Sequence, residues 1–426
     1  MPRLLCLYQH APTPGAPGFY RHRQYLAELV LRGWHVDLVS CPVDYLTGKT
    51  PRRYKRRLYV AETIEGIHHH WMWGAADIHR SRALRAFNYV SFAATALGRV
   101  LSLPVPDVIW ASSPPLPLGA VGRIAAKRYR RPWAFEIRDL WPESAAAVGW
   151  LHADGRVYRQ LDRAARRYAS SADVVIVPTP GLVSGARRHG ARHVEVLPGI
   201  VLDNGLQPEV RSRVRAELDV ADACVFAYIG ALGVANGLDA LLDAAKTMDR
   251  DSRVAFVVVG DGSDRHRIQH RIETERIQSI RLLNPVPKER VAEILAASDV
   301  VLHLLRDEPL FRTALPNKML DAFSAHRPLV TTVDGLPREL AEASGGAYSP
   351  ASSLAAELRT WAAMSPSERA ERGQRSFAYG QRRFGLGPNV DALERALAKA
   401  MNGGPHDDRT AGQPAPYRVD QDADGR

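Results

Sequence analysis

The chain has 426 residues, with 57 Lys/Arg against 46 Asp/Glu and a formal net charge of +11. That length exceeds what one hydrophobic core usually supports, so two domains are expected, and a 46% hydrophobic content excludes wholesale disorder. Cys6, Cys41 and Cys224 are too few and too scattered for a disulfide framework or a zinc site; each lies in or beside an apolar run and reads as a small core residue.

In chain order, Met1-Pro2-Arg3 runs straight into a short apolar stretch, which reads as a first strand at 4–8 and not as a secretory signal. Further strands are predicted at 35–40, 67–71, 108–111, 133–137, 174–178 and 194–197, with helices at 19–32, 82–101, 117–130 and 155–170. The second half repeats the scheme. Strands are predicted at 224–229, 254–259, 280–283, 300–304 and 329–332, and helices at 237–247, 263–276, 288–297, 317–325 and 337–343. Strands this apolar, separated by helices, indicate parallel sheets buried on both faces. Two such series give two doubly wound α/β domains. The segment 198–208, rich in Pro, Gly and turn residues, places the boundary, so the expected domains are 1–198 and 199–380. Closing helices at 381–402 are expected to pack back on the first domain, and 403–426 is expected to be a disordered tail. The uncharged stretch 86–98 is too short and too polar to span a bilayer, so a soluble cytoplasmic protein is expected.

Ligands of doubly wound sheets bind beyond the carboxyl ends of the strands. Five segments are placed there. The loop after the first strand carries His10, Gly15 and Gly18; its glycines would let backbone amides approach an oxyanion, but it lacks the G-x-G-x-x-G dinucleotide spacing. The turn at 228–237 carries Gly230, Gly233 and Asn236, and the turn at 259–262 carries Gly260 and Gly262. Asp261 there reads equally as a helix cap. The block Leu315-Pro316-Asn317-Lys318-Met319-Leu320-Asp321 opens a helix with Lys318 and Asp321 on one face, a cation for phosphate and a carboxylate for sugar hydroxyls, or a surface ion pair. The segment Glu136-Ile137-Arg138-Asp139-Leu140-Trp141-Pro142-Glu143 offers carboxylates and an arginine just past a strand. His68, His69 and His70 are consecutive on a predicted strand, so at most two share a face, and no metal site is expected.

On these residues the chain resembles the retaining glycosyltransferases of family 4, with the GT-B fold of two Rossmann-like domains facing across a cleft. The stretches that carry the likeness are EIRDLWPES at 136–144, YIGALGVANGLDALLDAA at 228–245 with VVGDG at 258–262, and PNKMLDAFSAHRPLV at 316–330. The first is similar to the subgroup that adds amino sugars and related hexoses to bacterial surface polysaccharides. The resemblance implies a nucleotide-diphosphate sugar donor on the second domain, an acceptor on the first, retention of anomeric configuration, and no cofactor or essential metal. It implies catalytic roles for Asp139 and Lys318. It places Gly230, Gly233, Gly260, Gly262 and Asp321 at the donor; Asn236, Arg312, Thr313 and Asn317 are further donor candidates, and His10, Gly15, Gly18, Arg138 and Glu143 are the acceptor candidates. The chain departs from the family pattern at two places. Thr313 stands where a first glutamate is usual, eight positions before Asp321, and Ala231 and Asn236 stand where many members carry Arg and Lys for the diphosphate.

Other classes fit parts of the pattern: a sugar-nucleotide epimerase of the same architecture, a catalytically inactive relative, and a nucleic-acid-binding protein, for which no recognised motif accompanies the charge. The charge itself is uneven. Residues 1–200 hold 28 Lys/Arg and 14 Asp/Glu, and the rest of the chain is net −3. The densest basic cluster is Lys49, Arg52, Arg53, Lys55, Arg56 and Arg57 with Tyr54 and Tyr59 interleaved, followed by Arg80, Arg82 and Arg85. The expected partners are therefore a lipid-linked or glycan acceptor and an anionic membrane surface on the inner face of the cytoplasmic membrane, not nucleic acid.

Overall fold

The computed structural model describes residues 1–402, apart from 15–20, 46, 148, 153–154, 206–207, 250, 252 and 310. The tail 403–426 and the loop glycines Gly15 and Gly18 lie outside the described residues. The chain divides into two compact units, one of Met1–Pro198 with the segment from Asn389 onward, the other of Gly199–Pro388.

The first unit runs β1 (Arg3–Leu7), α1 (Arg21–Leu31), β2 (His35–Ser40), β3 (Tyr59–Ile64), β4 (Ile67–Met72), α2 (Arg82–Val100), β5 (Val108–Ser113), α3 (Pro117–Tyr129), β6 (Trp133–Ile137), α4 (Glu143–Ala147), α5 (Arg156–Ser171), β7 (Val174–Val177), α6 (Val183–Arg188) and β8 (Val194–Val196). Its eight strands lie in the order β3-β4-β2-β1-β5-β6-β7-β8. β5, β6 and β7 are buried at every position, as a parallel sheet covered on both faces requires. The chain works outward from β1 to β4, then crosses to β5 and continues the other way. The switch point, where such sheets bind ligands, is therefore at the carboxyl ends of β1 and β5.

β3 is absent from the sequence-based expectation. Its sequence YVAETI carries no apolar run, and its residues alternate between exposed and half-buried. It forms because Glu65 and Gly66 both take positive φ and close a tight hairpin that lays β3 antiparallel on β4. It covers the edge that β4 would otherwise leave open.

The second unit runs α7 (Pro208–Glu217), β9 (Cys224–Ile229), α8 (Asp239–Met248), β10 (Val254–Val259), α9 (Arg265–Glu275), β11 (Ile280–Leu283), α10 (Lys288–Ala297), β12 (Val300–His303), α11 (Asn317–Ser324), β13 (Leu329–Thr331), α12 (Leu336–Ala343), β14 (Ala347–Tyr348), α13 (Leu354–Ala363) and α14 (Pro366–Phe384). Its six strands are all parallel, in the order β11-β10-β9-β12-β13-β14. Here the switch point lies between β9 and β12. The core on one face joins Phe226, Phe256, Leu241 and Trp361, all essentially without solvent exposure.

α15 (Leu386–Met401) follows, and from Asn389 it belongs to the first unit. It is held there by polar contacts. Arg32 donates to Asp391 (2.5 Å) and Glu394 (2.6 Å), and the Trp34 indole donates to Glu394 (2.7 Å). Among the described residues, no helix is long and apolar enough to cross a membrane.

Candidate functional site

At the carboxyl edge of the second sheet the glycines are dictated by crowding. Gly230 and Gly260 are the first residues beyond β9 and β10, with φ of +151° and +152°. A Cβ on Gly260 would lie 1.8 Å from the Gly230 carbonyl oxygen, and one on Gly262 would lie 2.3 Å from that of Leu232. A Cβ on Gly230 would meet Lys318 Cε at 2.3 Å. Thus Lys318 rests on bare backbone, and the two turns are drawn together by Leu232 N–H to Asp261 O and Asp264 N–H to Leu232 O, both 2.9 Å. Gly233 is different: a Cβ there would make only ordinary contacts.

Lys318 stands in the first turn of α11, whose first-turn amides are capped by no side chain among the described residues. Its ammonium donates to the Tyr228 hydroxyl (2.7 Å), which in turn donates to the Ala231 carbonyl (2.7 Å). Burial pushes the Lys318 pKa down to about 8. His303, at the end of β12, shares its Nδ1 with the Thr331 hydroxyl (2.9 Å), while its buried Nε2 has no partner among the described residues. Burial, with the Lys318 charge adding to it, pushes the His303 pKa down to about 3, so its ring is neutral. One turn along α11, Asp321 is half-buried and its carboxylate makes no hydrogen bond among the described residues. Burial raises its pKa, and Lys288 partly opposes that. The edge therefore presents a cation over glycine backbone, uncapped amides and a free carboxylate, a set suited to an anion with hydroxyl groups beside it.

The other donor-side candidates are distributed less simply. Asn236 turns inward and accepts from the Gly233 N–H (3.2 Å), bracing its own turn. Arg312 is clamped by both oxygens of Asp307 (2.9 and 2.8 Å), and Thr313 and Asn317 are exposed. A different cation stands beside the turn that lacks Arg and Lys. Arg306, just past β12, donates its backbone N–H to Ala235 O (2.9 Å), and its Cγ would be 3.7 Å from a Cβ on Gly237. Its side chain is exposed and has no acidic partner among the described residues. No motif flags Arg306 or His303; the available signal was position, both being polar groups at the end of the apolar run VVLHLL.

At the carboxyl edge of the first sheet, Arg138 donates to the Pro114 carbonyl (2.6 Å) and lies over the Tyr8 ring (5.0 Å). His10 packs edge-on against Tyr45 (4.8 Å). Burial, then the charges of Arg138 and Arg85, push its pKa down to about 3. Asp139 is exposed, with no hydrogen bond or ion pair among the described residues. Glu143 pairs with His189 (2.7 Å). Glu136, a neighbour of Asp139 in sequence, is fully buried. It accepts from Arg21 and His22, both at 2.5 Å, while His22 stacks on Tyr8. Burial would raise its pKa, but His22 and Arg21 outweigh that and hold the carboxyl below the usual range. Glu136 is thus a structural hub, and Arg21 goes on to bind the Leu197 and Pro198 carbonyls.

The three consecutive histidines are absorbed by the sheet. His70 bonds Asp37 (3.0 Å) and Tyr59 (3.0 Å), His68 lies 3.3 Å from the Thr63 hydroxyl, and His69 stacks on Trp71. Elsewhere among the described residues, Glu143, Asp162 and His189 bring ligand-type atoms within 4.8 Å of one another.

Residues 20–199 match the Glycosyl transferase 4-like domain, and residues 223–362 match Glycosyl transferases group 1. No curated protein sequence matches the chain. Among solved structures it is similar to Anabaena HepE in complex with UDP and glucose, at 17% identity and a TM-score of 0.66, covering 93% of this chain and all of that one. It is also similar to sucrose-phosphate synthase from Thermosynechococcus elongatus, at 16% identity and a TM-score of 0.71, covering 95% and 100%. A third likeness is to a UDP-forming trehalose-phosphate synthase from Burkholderia xenovorans, at 16% identity and a TM-score of 0.66, covering 93% and 99%. With a 4-like domain followed by a group 1 domain, each on its own doubly wound sheet, the chain belongs to the glycosyltransferases of the GT-B fold.

Proposed function

We propose that this glycosyltransferase takes a hexose from a nucleotide-diphosphate donor and places it, with retention, on a lipid-linked glycan acceptor. The observation that carries the donor side is Lys318, seated on Gly230 with Asp321 one turn away. In this reading the ammonium and the α11 amides hold the diphosphate, Asp321 takes ribose hydroxyls, and Arg306 supplies charge that Ala231 and Asn236 cannot. The similar HepE structure is a complex with UDP and glucose, which makes UDP-hexoses the first donors to test.

The C1–O bond to the diphosphate breaks through an oxocarbenium-like state, and the acceptor oxygen bonds C1 on the same face. The acceptor proton passes to the departing phosphate oxygen, so no second catalytic carboxylate is needed. Lys318 and Arg306 stabilise the charge that develops on the leaving group, a role that in this reading needs no metal. Asp139, exposed and unpaired among the described residues, is assigned to a hydroxyl of the reacting sugar.

The lipid-linked acceptor is supported by the character of the first unit. Phe87 and Val90 of α2 are 54% and 59% exposed, downstream of Arg80, Arg82 and Arg85. Apolar side chains outward beside cations suit an anionic membrane surface.

A thermal-shift panel of nucleotide-sugars, followed by a product assay with and without lipid-linked acceptor, tests the reading. Stabilisation by one donor and product only with acceptor is expected. Conversion of donor without acceptor would show an epimerase instead, and no donor binding would leave an inactive relative.

A further inference from the structure

The basic cluster of the first unit is not a uniform solvated face. Part of it walls a cavity of about 430 Å³. Lys49, Lys55, Arg56 and Arg57 line this cavity together with Trp73 and Asp77. Arg53, by contrast, points away and pairs with Glu62 (2.7 Å). Among the described residues, none of the four lining cations has an acidic partner. Four cationic residues thus line one concavity, and among the described residues its wall holds a single carboxylate, that of Asp77.

The backbone of this wall is also held in a costly form. Arg56 and Asp77 have φ of +61° and +60°, a region that side chains other than Gly seldom occupy. Such conformations cluster at ligand clamps. Trp73 adds a flat apolar surface, 36% exposed, just past the end of β4. Pro42 reaches the same cavity from the end of β2, so the cavity lies on the carboxyl edge of the sheet, as do His10 and Asp139. In the strand order, β6 is three places from β2, which at ordinary strand spacing is roughly 14 Å. A diphosphate bearing one or two sugar rings covers that span.

We propose that this cavity binds the diphosphate group of the acceptor, with Lys49, Lys55, Arg56 and Arg57 on its oxygens and Trp73 against the adjoining sugar ring or chain. The identity of the ligand as an acceptor rests on the sugar-transfer reading above; the binding of a diphosphate does not.

The test uses the full chain and inorganic pyrophosphate, followed by titration calorimetry at low salt. Wild type, Lys318→Ala and the double variant Lys55→Glu/Arg57→Glu are compared. Lys318→Ala is expected to keep pyrophosphate binding at the cavity. The double variant is expected to lose it at least tenfold while its thermal shift with UDP stays unchanged. Equal pyrophosphate binding by the double variant and wild type would overturn the proposal. These side chains are exposed, so melting temperatures should agree. If the double variant unfolds, Lys55→Ala alone carries the same comparison with a smaller loss. Vesicles of phosphatidylcholine containing polyprenyl diphosphate decide the source. Sedimentation of wild type but not of the double variant assigns the diphosphate to a lipid, and pyrophosphate binding without sedimentation assigns it to a soluble ester. A normal pyrophosphate result with no UDP shift would sink the donor reading and leave the cavity assignment standing.

Discussion

The Lys318 ammonium lies 2.7 Å from the Tyr228 hydroxyl and 3.9 Å from the centre of the Tyr228 ring. An ammonium held against an aromatic face over glycine backbone is partly stripped of water, and no carboxylate among the described residues pairs with it. That is why burial lowers its pKa to about 8.

Two pH slopes of opposite sign follow for Lys318. A diphosphate favours the protonated amine, so donor affinity should hold below pH 8 and fall about tenfold per unit above it. In the free protein the folded pKa is below the ordinary value of 10.5, so the unfolded chain binds more protons between the two. Lys318 should therefore add stability as pH rises from 8 toward 10.5. Lys318→Met should remove both slopes, seen by donor titration and thermal melts, and Lys318→Ala should cut turnover about a hundredfold or more.

Asp139→Asn keeps the shape of the side chain and removes its charge. Because Asp139 is exposed and unpaired among the described residues, the melting temperature should not move, while turnover should drop about a hundredfold by analogy with losing one preorganised group. Near-normal turnover would remove Asp139 from the site.

Arg306→Ala should weaken UDP-sugar binding by about 1.5–3 kcal/mol, the worth of a charge-assisted hydrogen bond. Arg312→Ala should do less, since Asp307 already holds that guanidinium. Calorimetric titration of both variants with the same donor checks the ranking. Equal losses would contradict the assignment of Arg306.

Gly260→Ala should destabilise the second unit by about 1–3 kcal/mol, the usual cost of overpacking. The added Cβ falls inside the Gly230 carbonyl, and neither backbone segment has a flexible side chain to move aside. Gly233→Ala is the control and should melt within a degree or two of wild type.

Glu136→Gln leaves Arg21 and His22 facing an uncharged group in a buried site, and about 3–5 kcal/mol of stability should be lost. The folded carboxyl titrates below its unfolded value of 4.5, so its contribution is complete above pH 4.5 and fades as pH falls through the lower folded value. The variant should show a flatter acid limb in denaturant melts below pH 4.5 and a parallel curve above it.

Much of the fold is legible in the residues. β2, β6, β9, β10, β11 and α10 have the bounds that apolar runs and their flanking turn residues indicate. Parallel strands buried on both faces leave a strong local signature, because each must be apolar at nearly every position. β3, α7 and α13 leave a weak one. β3 is an edge strand set by its hairpin, and α7 is mostly polar, with Val214 its one fully buried side chain.

For the candidate site, local composition determined less. Glycines after the strands, and Lys318 with Asp321 on one helix face, follow from the chain itself, since spacing of three on a helix sets a shared side. Glu136, near the end of β6, and Asp139, just past it, are both acidic and three residues apart in one segment. Only the tertiary structure separates them, by burying one between Arg21 and His22, more than a hundred residues away, and leaving the other open. Arg306 beside the Gly237 turn, and the gathering of four cations into one cavity, are likewise decisions of the fold. The sum of charges in the first 200 residues could be counted from the chain, but which of them face a common concavity depends on where β2 and β4 end.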